Sequence, residues 1–124
     1  MADSATSSLR LRDQETGAND GQWGTYTDTN FTLVEEALSG VLSKSVAGSA
    51  NVTLTSTNFT SDESRHAVLQ LTGALTGNIN VIIPNVQKTY FVFNNTSGSF
   101  TLSLKTSSGT AVEIPQDSKE YIYC

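Results

Sequence analysis

Reactive side chains are scarce in this chain. Of its 124 residues one is cysteine, one is histidine, and only 15% are charged. The cysteine, Cys124, has no second thiol for an intrachain disulfide and no partners for a zinc site. That usage fits synthesis in a reducing cytoplasm. The histidine, His66, lies beside Asp62 and Ser64. Catalytic triads are assembled by a fold from distant positions, so three near neighbours do not make one. The glycines match neither a dinucleotide fingerprint nor a P-loop. Asn19-Asp20-Gly21 and the acidic run near Asp117 are too short for a calcium loop. Glu113 and Glu120 are the nearest thing to a paired-carboxylate site, but Glu113 alternates outward between Val112 and Ile114. No catalytic residue, metal or cofactor is therefore expected.

Other absences narrow the class further. No apolar run is long enough for a bilayer-spanning helix. Met1 to Ser8 is polar and has no apolar h-region, so no secretory leader is expected. Twelve acidic against seven basic residues give a net charge of −5. Such a chain repels phosphate backbones, which argues against nucleic-acid binding. Apolar residues are also few, at 37%. Yet five Phe, four Tyr and one Trp sit in patterned segments, unlike a disordered chain. The expectation is a folded protein that hides edges or core in an oligomer.

The pattern divides into an N-terminal segment 1–22, a helical segment 23–43, a linker 44–50 and a β region 51–124. In the first, Leu9 and Leu11 alternate with Arg10 and Arg12. Such a short strand cannot stabilise itself, so it joins the domain's own sheet or pairs with another chain. One helix is expected from about Thr25 to Leu42. Its apolar positions Thr27, Phe31, Val34, Leu38 and Val41 step by 4, 3, 4 and 3, the rhythm of a heptad seam. Trp23 extends the stripe upstream. The stripe either packs on the chain's own sheet or meets other chains. The Ser/Gly/Ala stretch 44–50 reads as a flexible hinge.

From Asn51 onward seven short strands alternate, separated by turns such as Ser97-Gly98 and Ser108-Gly109. With no helix between them, an antiparallel β-sandwich or jelly-roll-like domain is expected. The apolar last strand suggests that the natural chain continues past Cys124. Tyr90, Tyr121 and Tyr123 could form a stacking platform for sugars, although strand aromatics more often pack in a core.

The segment Leu9 to Gly17, followed by Gln22-Trp23-Gly24 and by Asn30-Phe31 leading into a helix, resembles the N-terminal part of tail-fibre and related virion proteins of tailed bacteriophages, notably short-tailed marine phages. The stretches Thr72 to Gly77 and Asn94 to Gly98 are similar to the repeated β modules of such proteins. The resemblance implies a homotrimeric virion subunit in the tail, made in the host cytoplasm and supporting host adsorption. Its implied partners are tail adaptor, portal-associated and nozzle proteins. On that basis Leu9, Arg10, Leu11, Arg12 and Trp23 are the expected docking residues. Removing Leu9 through Arg12 should then leave a folded protein that no longer joins the particle. The rival expectations are a carbohydrate-binding module, a head or tail decoration protein, and a depolymerase, the last disfavoured by the missing carboxylate pair.

Overall fold

A computed structural model describes residues 3–123 of the chain; Met1, Ala2 and Cys124 lie outside the described residues, and with them the expected Cys124 thiol. The fold is mostly β, with one long helix and mixed sheets. Strands β1 (Ser4–Ala5) and β2 (Arg12–Asp13) form a small antiparallel pair. Helix α1 (Trp23–Ser39) follows. It begins two residues before the expected start at Thr25 and ends before Val41 and Leu42, which belong to the next strand. The chain then runs through β3 (Val41–Ser45), β4 (Val52–Thr53), a 3-10 turn (Glu63–Arg65), β5 (Val68–Ala74) and β6 (Ile79–Ile83). It finishes with β7 (Thr89–Ser97), β8 (Leu102–Thr106), β9 (Val112–Ile114) and β10 (Lys119–Tyr123).

From β3 to β8 successive strands alternate between two four-stranded sheets, which β9 and β10 complete. The first has the order β10-β7-β5-β3 and the second β4-β6-β8-β9. Within each sheet, every strand from β3 to β8 lies parallel to its neighbour. Only β9 and β10, which end each sheet, pair antiparallel. This overturns the expectation of antiparallel sheets. Parallel strands need a crossover of a dozen or more residues, usually a helix. Here the crossover is a strand of the other sheet.

The result is three stacked rungs, β3–β4, β5–β6 and β7–β8. Val68 stands beside Phe91 and Ile79 beside Leu102, an offset of 23 residues in both sheets (68 to 91, 79 to 102). Each rung rests on its neighbour, as in repeat architectures. The corners stack too: Gly48 N–H donates to Ala74 and Leu75 N–H to Ser97. At two corners only glycine fits. Gly73 has φ +106° and Gly98 φ +99°, and a Cβ on Gly98 would lie 2.6 Å from the Leu75 carbonyl. Stretch 44–50 is thus no free hinge. It holds the end of β3 and the first corner, anchored by the fully buried Val46.

Alternation explains the core. Leu69, Leu71 and Val92 point inward from the first sheet and Val81, Leu102 and Leu104 from the second, in one apolar cluster. Burying each such side chain stabilises by about 1.5–3 kcal/mol. Asn94 takes an inward position, opposite Leu71. It is fully buried but satisfied: its Nδ2 donates to the Ile114 carbonyl at 2.6 Å, while its Oδ1 accepts from Thr96. This bond ties the last strand of the second sheet to the first.

Candidate assembly surfaces

The N-terminal segment is not presented to a partner in the way the alternation suggested. Arg10 has a left-handed φ of 52°, which breaks the expected Leu9–Arg12 strand. Its guanidinium meets Asp62 at 2.8 Å in a largely buried pair. Arg12 bonds Asp3 at 3.1 Å. Its guanidinium also lies between the rings of Tyr26 (3.9 Å) and Phe59 (4.2 Å). Its backbone is held on both sides by Asn30 of α1, at 3.0 and 2.9 Å. Each arginine already pairs with a carboxylate of its own chain, so in this conformation neither is free for an acidic partner, although the buried Arg10 Nε has no hydrogen-bond partner. Leu9 and Leu11 are half-buried.

The anchor of this region is Arg65, which the sequence did not single out. It is fully buried and bonds the carbonyls of Leu9, Thr57 and Thr60 as well as Asp62. Burial pushes its pKa down and Asp62 pushes it back up. Asp62 also accepts from Thr57 N–H at 2.6 Å. One ion cluster thus fastens the N-terminal segment to the 55–65 loop, which Tyr90 ties to the rungs through the Ser64 carbonyl and Ser61 ties to Glu36 near the helix end. A cluster of this kind has no local sequence signature, because its members lie 52 residues apart. Leu9 through Arg12 are therefore part of the fold, and their removal is expected to destabilise it.

The same cluster accounts for the neighbours of His66. Asp62 is engaged by arginines, and the His66 Nδ1 lies 3.2 Å from the Glu63 carbonyl. Among the described residues no three His, Cys, Asp or Glu side chains gather as a metal site. A cavity of about 170 Å³ opens between the sheets beside Ile83, Leu104, Val112 and Ile122. A more open hollow of about 370 Å³ lies at Thr16, Gly17, Ala18 and Asn19.

The helix presents two faces. Leu33 is 1% exposed, and Tyr26, Asn30 and Ala37 flank it on the side turned to the chain's own core. The heptad stripe lies roughly 100° further round. On it Phe31 is 69% and Leu38 77% exposed, with Val34 and Thr27 half-buried. Thr27 accepts a hydrogen bond from Gln14 at 3.3 Å. Trp23 is half-exposed, its indole N–H donating to the Ala18 carbonyl at 2.6 Å. Val41 leaves the seam: it belongs to β3, where it is exposed.

The three tyrosines part company. Tyr90 faces the core, fully buried, and its hydroxyl donates to the Ser64 carbonyl. It cannot be part of a platform. Tyr121 and Tyr123 are 75% and 72% exposed on the outer face of the first sheet. Tyr121 packs edge-on against Phe91, with ring centroids 5.0 Å apart. Lys119 lies over Phe93 at 4.9 Å.

No family model, no curated protein and no solved structure matches this chain.

Proposed function

We propose that the chain is a structural, self-associating subunit of a tail-fibre-like virion assembly, joined as a homotrimer through the helix stripe. The observation that carries this reading is the exposure of Phe31 and Leu38 beside a buried Leu33 on the same helix. Large apolar side chains repeated along one helix face gain about 1.5–3 kcal/mol each when covered. Their 4-3 spacing is the one that facing helices interdigitate. The resemblance of the Trp23-Gly24 and Asn30-Phe31 region to phage tail-fibre N-termini supplies the setting. In that setting the rung-stacked β region is a rigid module of the fibre, and tail adaptor, portal-associated and nozzle proteins are the docking partners. Trp23 remains an accessible docking anchor, whereas Arg10 and Arg12 act by shaping the segment that carries it.

The test is the native mass of the whole chain. The expected result is a trimer that falls to a monomer of unchanged circular dichroism in Phe31→Ser/Leu38→Ser. A wild-type chain that stays monomeric at all accessible concentrations overturns the proposal.

A second reading is favoured by the exposure of Tyr121 and Tyr123: stacking on a host-surface glycan. Binding on a glycan array that disappears in Tyr121→Ala/Tyr123→Ala would support it.

A further inference from the structure

We propose that the outer face of the first sheet is the second half of the self-association surface, packed against another copy of this chain. The inference rests on the self-association reading above and names a surface outside the helix.

The strand registers place Val41 beside Val68, Val68 beside Phe91 and Phe91 beside Tyr121. Four side chains from four strands thus form one apolar row across the whole sheet. The row starts at Val41, only two residues beyond the end of α1, so it continues the helix stripe along the chain. Tyr123 stands beyond Tyr121 on the same face of β10.

Area is the first argument for a second copy. At about 200 Å² per large side chain, Trp23, Phe31 and Leu38 leave roughly 400 Å² open. A specific interface takes about 800 Å² from each partner. The helix stripe alone falls short by half. Val41, Tyr121 and Tyr123 supply about the missing amount.

Charge is the second argument. Positions alternating with the buried ones on this sheet carry no carboxylate, in a chain with net charge −5. Lys119 is the one charged residue there among those described, and it lies over Phe93. Depletion of charge with retention of aromatics is the composition of an interface core. Two copies meeting here bring no like carboxylates together.

The experiment is tyrosine nitration of the whole chain with tetranitromethane, read by peptide mass and compared between the wild-type oligomer and the Phe31→Ser/Leu38→Ser monomer. Tyr121 and Tyr123 are expected to be protected in the oligomer and reactive in the monomer. Independently, Tyr121→Ser/Tyr123→Ser should weaken association by at least about tenfold, with unchanged circular dichroism, as for interface hot spots. Equal nitration in oligomer and monomer would overturn this inference while leaving the helix seam standing. So would glycan binding by the wild-type oligomer that disappears in the Tyr121→Ser/Tyr123→Ser variant. A wild-type chain without any oligomer would overturn both.

Discussion

The two sheets share one core but turn different faces outward. The first shows the apolar row Val41, Val68, Phe91 and Tyr121, with Phe93 and Tyr123 beside it, among uncharged Ser43, Ser45, Gln70, Thr72, Thr89, Asn95 and Ser97, and Lys119 is its single charge among the described positions. The second shows Thr53, Asn80, Ser103, Lys105 and Glu113, with Ile82 alone apolar. Inward positions are constrained alike in both, because they must fill the same space between the sheets. Outward positions are constrained only by what each face meets. A polar face needs nothing but water. An aromatic face that water alone covered would be an aggregation liability. The asymmetry is what the proposed self-association through the first face requires, and it can be probed face by face.

The largest effect is expected where the two sheets are fastened to the N-terminal segment. Asp62→Ala leaves Arg65 and Arg10 buried without their carboxylate. Removing one partner of a buried pair destabilises by about 3–5 kcal/mol, and denaturant unfolding measures it. Core truncation comes next and tests whether the sheets do share one core. Leu71→Ala from the first and Leu104→Ala from the second should each destabilise by about 2–5 kcal/mol. A loss confined to one sheet would break the comparison at its root. On the outer faces the effects should diverge. Lys105→Ser and Glu113→Ser should change stability by less than about 0.5 kcal/mol and leave the native mass alone, whereas the tyrosine variants of the other face should shift it.

Much of this was legible in the sequence, and the gaps have physical causes. Strand positions followed from alternation, since Leu69/Leu71 and Leu102/Leu104 mark one face at period 2. The helix and its stripe followed from the 4-3 spacing. The parallel stacking did not, because the repeat is one of space rather than of residue identity. Gly73 stands opposite Thr96, and Leu71 opposite Asn94. The first rung is longer, with offsets of 27 and 29 residues (41 to 68, 52 to 81), since the 55–65 loop is inserted there. Arg10 was expected at a partner interface and Arg65 was not singled out, because burial by a distant loop leaves no mark on neighbouring residues. Of the residues in the proposed surface, Phe31 and Leu38 were expected in a helix seam, and Tyr121 and Tyr123 were expected in a sugar platform with Tyr90. Tyr90 was misplaced because it shares a strand with outward residues but sits on the other side of the pleat. Val68 and Phe91 were missed because joining them into a row requires the register.

The smallest effect expected is a dependence on acid, carried by the edge of the first sheet and by the N-terminal segment. Lys44 on β3 holds Glu63 at 2.6 Å, and Thr55 N–H donates to the same carboxylate at 3.1 Å. The Lys44 bond, with help from Thr55, keeps Glu63 below its ordinary pKa. Asp3 is lowered likewise, first by the Glu15 N–H and then by Asn19 and Arg12. A carboxylate whose folded pKa is depressed binds protons more tightly in the unfolded chain. Its stabilisation is present above the ordinary carboxylate range, near pH 4, and drains away as the pH falls through the folded value. The Glu63 pair is partly exposed, so its contribution is on the order of 0.5 kcal/mol. Glu63→Gln should lower stability slightly at pH 7 and make the acid limb of a stability–pH curve shallower. A Glu63→Gln curve that parallels wild type down to pH 2 would show that Lys44 and Glu63 contribute nothing to holding β3 in place.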